Sequence, residues 1–382
     1  MGSTLAASPD ALADFLARCD PASPAPVGMY VPRPNPFAPW LGKTLSRVES
    51  AKVLTMGQAG VGKSTELARL ADSLSTSFTI VRPPLDQVLD LDLVGWHDIL
   101  VFAALWYGKS SGASPYAFMS PLARLESELM SNLPRSAAPK LTGLQAFRND
   151  PSFVHARIEA GRAQFWDLCL AVFADLPKPV VLLLDGLEKL PPQATERLFL
   201  EQRRYITELP LRSVVTAPLA MSFLPYFGEV EADFLAVTRL RALSHRPGEP
   251  GFSFLKQLAE RRDALRVIDG YILDDMISWS GGLPRQLLQL LAASATQALT
   301  EGMSRAEHES FVRARRKVTE RWQYQLEPSD YTSLSKGDDE RTGSERSRLL
   351  GLGALLEYDQ PDGGLGLGIN PLVGALLKQR KQ

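Results

Sequence analysis

The chain has 382 residues, 45% hydrophobic and 22% charged, with a formal net charge of -1, so it is ordinary globular material with room for two or three domains and has no global basic field to draw nucleic acid. Cys19 and Cys169 are its only cysteines and fit no metal-ligand spacing, which argues against a disulfide framework or a zinc module. No apolar run reaches about 18 residues, and the start MGSTLAASPDALADF lacks the features of a secretory signal and carries Ala6 where a myristoylation motif needs Ser or Thr, so a cytoplasmic protein is expected.

Residues 8–18, SPDALADFLAR, read as a short helix with Ser8 as N-cap, Pro9 at the first helical position, and Leu12, Phe15 and Leu16 on one face. The prolines of PASPAPVGMYVPRPNPFAPW, residues 21–40, exclude a helix or central strand. Tyr30, Val31, Phe37 and Trp40 make it too apolar for a linker, so an extended arm lying on the next domain is predicted. From residue 52 strand and helix alternate. VLTM, FTIV (78–81), VVLLL (180–184), RSVVT (212–216) and DFLAVTRL (233–240) read as strands. Helices are predicted over TELARLADSL, around Trp96 to Trp106, near 121–131 and over 153–176; residues 108–120 and 132–152 read as loop-rich insertion. Strands spaced by helices imply right-handed crossovers and a parallel sheet.

After about residue 250 the strand pattern stops. FSFLKQLAERR, YILDDMISWS and PRQLLQLLAASATQAL read as three helices, and 305–325 continue helical. A helix at SERSRLLGLGALL, a hairpin across LLEYDQPDGGLGLGIN and the apolar stretch PLVGALL suggest a small winged-helix module, with Leu349, Leu350, Leu355, Leu356, Leu372, Leu376 and Leu377 as its core. The expected organisation is an N-terminal helix and arm (1–40), an α/β P-loop core with helices flanking a parallel sheet (41–245), a helical lid (246–303) and the winged-helix module (304–382).

Residues 53–65, VLTMGQAGVGKST, have the spacing G-x-x-x-x-G-K-S between a strand and a helix. Gly57, Gly60 and Gly62 let the chain turn tightly; with Gln58, Ala59 and Val61 their amides form an anion nest at a helix N-terminus. Lys63 reaches outer phosphates, the Ser64 hydroxyl ligates magnesium, and Thr65 follows in the first helical turn. A magnesium nucleotide site also needs an acid at the end of a neighbouring strand, and VVLLLDGLEKL supplies Asp185. Gly186 follows it. Glu188, two positions later, either turns toward the attacking water or caps a surface helix. Thr216 ends an apolar strand, where parallel sheets hold ligands; it is a candidate sensor of the γ-phosphate or simply a strand terminus. Arg285 in SGGLPRQLLQLL, at a helix start behind two glycines, is either a lid arginine that touches the γ-phosphate or a solvated one.

Together these marks resemble the AAA+ and STAND branches of P-loop ATPases, over roughly residues 40 to 300. "DGL" rather than "DE" after the strand leans toward signalling ATPases and the origin-recognition relatives, which often carry a C-terminal winged helix. The resemblance implies that Gly57 to Thr65 bind ATP and Mg2+, that Asp185 supports the metal, that Glu188 is the base, and that Thr216 and Arg285 are the first and second sensors. Two departures matter: the Glu of the usual pair is replaced by Gly186, and no Arg lies between Thr216 and residue 238 to serve as a finger for a neighbour, leaving Arg203 and Arg204 either as substitutes or, the favoured reading, as part of a solvated helix face. The reading is a slowly hydrolysing, nucleotide-operated switch with a protein partner or self-association, of the kind used in bacterial defence and signalling. The alternative is a DNA-associated AAA+ ATPase, for which Arg313, Arg316 and Lys317 of RARRK would grip phosphates. A metabolic kinase is disfavoured because no acceptor site is evident.

Overall fold

The computed structural model describes residues 9–21, 27–110, 120–131, 142–359 and 365–380. Its centre is a five-stranded, all-parallel sheet of β1 (Lys52–Gly57), β2 (Thr79–Val81), β3 (Val180–Leu184), β4 (Arg212–Ala217) and β5 (Ala236–Leu240), in the order β2-β3-β4-β1-β5. β1 and β3 are buried along their whole length, which is why β3 reads as an unbroken apolar run and β1 as an apolar one interrupted by Thr55 rather than as alternating patterns. β3 pairs with β4 with Leu184 opposite Val215, so Asp185 and Thr216 come out level at one edge. β4 in turn lies beside β1, with Thr216 opposite Thr55, two residues before Gly57. Sheet register thus gathers the three sequence motifs. β5 starts at Ala236, three residues later than predicted, because Asp233 caps the helix Phe227–Ala232.

Helix Trp96–Ser110 is buried on all sides from Trp96 through Leu105. It is wrapped by helices Pro121–Met130, Gly143–Asn149, Pro151–Ala160 and Arg162–Ala174, which bury Leu129, Phe147, Ile158 and Phe165 in the same core. Two sequence readings are corrected here. The stretch 132–152 is not loop throughout: Thr142 and Gln145 form a capping box that starts a helix at Gly143. The helix expected over 153–176 is two, broken at Gly161. Residues 111–119 and 132–141 lie outside the described residues.

The first helix is Pro9–Arg18, as predicted; Ser8, its expected cap, lies outside the described residues. Leu12 and Phe15 are buried in the lid, not against the sheet. The arm is packed, with Val31 and Phe37 buried. It is not extended throughout: it holds a 3-10 turn, Val27–Met29, and helix Ala38–Arg47 takes in Pro39 and Trp40. Proline in the first helical turn forfeits no hydrogen bond, so it marks this start rather than forbidding it.

The lid contains the three expected helices, Pro250–Glu260, Gly270–Trp279 and Pro284–Thr300, plus the one-turn Ala264–Val267. Beyond it lie helices His308–Gln325, Pro328–Ser335, Gly343–Gly351 and Pro371–Arg380, and the antiparallel hairpin of β6 (Leu355–Asp359) and β7 (Leu365–Ile369). Pro328–Ser335 was not foreseen. Helices with one hairpin are the content expected of a winged helix, and Leu349, Leu350, Leu355, Leu356, Leu372 and Leu376 are buried as its core, with Leu377 partly so. That core is not separate, however: Leu355 and Leu372 belong to the cluster that includes Leu54 and Leu182, and Leu356 to the one that includes Val53 and Val61. No helix among the described residues is long and apolar enough to cross a membrane.

The lid joins the core by backbone contact at Gly282 (φ 79°), where an added Cβ would lie 1.7 Å from the Leu243 carbonyl oxygen. Gly302 has a similar φ of 70° but open space around it. Gly302→Ala is expected to cost about 1 kcal/mol, the left-handed strain alone, and Gly282→Ala about 3 kcal/mol or more. Denaturant unfolding of both variants checks this; equal losses would remove the contact from the account.

Candidate nucleotide site

The loop from Gly57 to Gly62 turns on residues at positive φ, and at Gly57 an added Cβ would lie 2.5 Å from the Leu240 carbonyl oxygen. Helix Lys63–Leu74 begins directly after it. Lys63 is only 3% exposed, and its ammonium donates to the carbonyls of Gly57 (2.7 Å) and Gln58 (3.1 Å) and stands 3.7 Å from Glu188 Oε1. Burial lowers its pKa, and Glu188 and Asp185 oppose that shift.

Gly186 (φ 101°) lets the chain fold back after Asp185 into the 3-10 turn Leu187–Lys189. That turn carries Glu188 over the sheet edge. Its Oε2 accepts from the Gly186 amide (3.1 Å) and from the Thr216 hydroxyl (2.9 Å), while the Thr216 oxygen accepts from the Leu187 amide (3.1 Å). Burial pushes the Glu188 carboxyl up, but Lys63, its own backbone amide and Thr216 outweigh it and hold the group below its ordinary value. The surface-cap reading of Glu188 is therefore set aside. Thr216, with no exposure, grips Glu188 rather than facing the cavity.

Asp185 Oδ2 accepts from Arg82 (2.9 Å), and Asp185 Oδ1 is buried with no partner among the described residues. An orphaned carboxylate oxygen beside the half-buried Ser64 fits a hydrated Mg2+, which binds through one or two carboxylates plus phosphate oxygens. No group of three or more His, Cys, Asp or Glu among the described residues forms an all-protein metal cage. Arg285 sits in the first turn of helix Pro284–Thr300 against Gly60: its amide donates to the Gly60 carbonyl (3.2 Å) and its Nε to the Pro21 carbonyl (2.9 Å). It reaches the site and ties lid, loop and arm together.

Lys63, Ser64, Arg82, Asp185, Glu188 and Arg285 line a cavity of about 500 Å³, within the range of small-molecule sites. Its apolar lining includes Met29 and Val31 of the arm and Phe254, Leu258 and Leu288 of the lid, surfaces that suit a flat base. Its charged lining includes Lys63, Arg82, Asp185 and Glu188.

Several site residues escaped the sequence reading. Arg33, 9% exposed, donates to the carbonyls of Val61 (2.9 Å) and Arg241 (3.1 Å), stapling arm, loop and sheet; burial lowers its pKa to about 10. Its signal was a lone cation in an apolar, proline-flanked arm. Arg82 follows the end of β2, and the strand-end logic applied to Thr216 would have found it. Gln58 was counted only for its backbone, yet its side chain donates to the Leu355 carbonyl (2.5 Å) and accepts from the Glu357 amide (3.2 Å) of β6. Arg203 and Arg204 do not line the cavity, and Arg203 is paired with Glu229 (2.8 Å).

Thr216→Val keeps the volume but strips the buried Leu187 amide and Glu188 of a partner. It is expected to destabilise the nucleotide-free chain by about 1–3 kcal/mol, measured by denaturant unfolding. No loss would mean that the hydroxyl is not holding the turn.

No family model and no curated protein matches the chain. Among solved structures it is similar to Cdc6p from Pyrobaculum aerophilum, at 13% identity over 96% of this chain and 98% of that one, with a TM-score of 0.47. It is also similar to the Aeropyrum pernix ORC1 protein in complex with DNA (14%, 92% and 94%, TM-score 0.43) and to the Thermotoga maritima RuvB Holliday junction branch migration motor (15%, 91% and 98%, TM-score 0.39). The chain's own strand order, phosphate loop and strand-end acid make its fold that of an α/β P-loop protein, a parallel sheet flanked by helices with a further helical region over the phosphate loop.

Proposed function

We propose that the chain is a Mg-dependent ATP-binding ATPase of slow turnover that works as a nucleotide-operated switch, with the C-terminal module as its moving part. The loop amides and Lys63 would hold the phosphates; Ser64 and Asp185 would hold Mg2+, which when bound would supply charge neutralisation at the outer phosphates. Ionised Glu188, oriented by Thr216 and the Gly186 amide, takes the proton of the attacking water. Glu188 arrives through a turn hinged at Gly186 instead of standing directly after Asp185, which supports slow hydrolysis.

The observation that carries the switch is the Gln58 side chain, hydrogen-bonded in both directions to the main chain of β6. A residue of the phosphate loop is thereby a partner of the hairpin. Around it, Glu357 pairs with Arg241 (3.1 Å), Tyr358 donates to the Gly281 carbonyl (2.9 Å), and Gln286 and Asn370 exchange two amide hydrogen bonds (3.1 and 3.0 Å). Loop, lid and module share one polar seam, so phosphate entering the loop acts on the seam through Gln58. Freed of it, the hairpin is available to a protein partner or a second copy.

A second reading, DNA association, is favoured by Arg316 and Lys317, exposed on helix His308–Gln325; Arg313 is engaged with Glu301 (2.6 Å) and Glu309 (3.1 Å), and Arg315 stacks on Trp279.

Two outcomes are expected. Glu188→Gln lowers ATP turnover about 100-fold or more, and with Mg-ATP held in this variant, hydrogen exchange across β6 and β7 runs faster than with Mg-ADP. Unchanged turnover removes Glu188 as the base, and equal exchange removes the switch. Arg316→Ala with Lys317→Ala is expected to weaken any low-salt duplex binding and flatten its salt dependence by about two phosphate contacts; no binding by the parent chain with ATP ends the DNA reading.

A further inference from the structure

Arg82 has no place in the mechanism so far, yet it stands inside the cavity. It directly follows β2, whose Val81 is paired with Leu182 of β3. One of its amino groups donates to Asp185 Oδ2 (2.9 Å) and to the Ser64 carbonyl (3.0 Å). These are the two residues that would flank the metal. A guanidinium has five N–H donors, and both acceptors of this one lie on the metal side. Pro83 and Pro84 follow it and restrict the backbone that aims the side chain.

The other cavity guanidiniums are tied to main chain elsewhere. Arg33 holds Val61 and Arg241, Arg262 holds the carbonyls of Arg18 (3.0 Å) and Leu258 (2.9 Å), and Arg285 holds Pro21. Arg82 differs in that its main partner is a carboxylate that the metal would engage. It is also a quarter exposed to the cavity, so its head group has room to turn.

We propose that Arg82 is a catalytic residue acting in cis: it is the counter-ion of Asp185 in the metal-free chain and moves onto the outermost phosphate when Mg-triphosphate binds. The inference rests on the ATPase reading above. With Asp185 and Ser64 engaged in holding the divalent ion, Arg82 would lose its carboxylate partner. The γ-phosphate of a bound triphosphate would offer anionic oxygens in its place. In the reaction the water oxygen bonds to the γ-phosphorus while the bridging P–O bond breaks, its electron pair leaving on the β-phosphate and the water proton passing to Glu188. Arg82 donates hydrogen bonds to the equatorial oxygens where charge gathers. It thus supplies from within the chain what a neighbour's arginine would supply in a ring, which fits the absence of Arg between Thr216 and residue 238.

The test compares the full-length parent with Arg82→Ala, Arg82→Gln and Lys63→Ala, each checked for folding by circular dichroism. Affinities for Mg-ADP and for a Mg-bound non-hydrolysable ATP analogue are measured by fluorescence titration, and hydrolysis in single turnover. Loss of both affinities in Lys63→Ala, with binding by the parent, establishes the nucleotide reading independently. Loss of Arg82 is expected to lower the preference for the triphosphate about tenfold, leave Mg-ADP affinity within about threefold, and slow single-turnover hydrolysis about 100-fold. An unchanged preference and rate, or tighter binding of both nucleotides, would make Arg82 a mere counter-ion and overturn the proposal. A parent chain that binds neither nucleotide would overturn the ATPase reading and this inference with it.

Discussion

The ammonium of Lys63 is taken almost wholly out of water, and the site is built around keeping that charge satisfied. Its desolvation is offset by two loop carbonyls and by Glu188, itself buried. Glu188 in turn is held by a threonine hydroxyl on one strand and an amide at the end of another. Such a network tolerates few missing members, because each partner removed leaves a buried polar group exposed to the low dielectric. The hydrogen bonds between motifs therefore follow from one constraint: a buried cation has to be kept satisfied inside the protein.

The same need explains the arginines. Arg33, Arg82 and Arg285 all approach the loop, and each is parked on an oxygen: carbonyls for Arg33 and Arg285, a carboxylate and a carbonyl for Arg82. A concave surface crowded with cations would repel itself. Spreading the charges over oxygens of the arm, the loop and the strand ends, with Arg285 itself on the lid, binds these segments together while leaving the charges within reach of an anionic ligand.

The hairpin is the second consequence. β6 is buried on both faces, Leu355 into one cluster and Leu356 into another, and the Ala242 amide donates to the Glu357 carbonyl (2.9 Å) beyond the end of β5. A hairpin set at the edge of the sheet and latched by Gln58 is not a free wing. Its buried Glu357, balanced by Arg241 and Arg239, is a charge pair retained in an interface where apolar side chains would pack as well. That suits the opening that the proposed switch calls for.

By itself the sequence determined the periodic and local features. Unbroken apolar runs identified the strands, the glycine spacing identified the loop, and an apolar run ending in Asp185 identified the acid, because burial on two faces and a tight anion nest each demand a residue pattern visible within a few positions. The capping box at Thr142 and the proline-led start at Ala38 were equally local and were missed for want of reading them as helix starts. Only the tertiary structure decided what depends on register and on distant chain: that Thr216 faces Glu188, that Arg82 reaches Asp185, that Arg33 staples the arm to the loop, and that Gln58 meets a hairpin almost 300 positions away. Such pairings are set by which strand lies beside which and by how the lid and module close over the sheet edge, and a side chain's long-range partner leaves no periodic trace in its own neighbours.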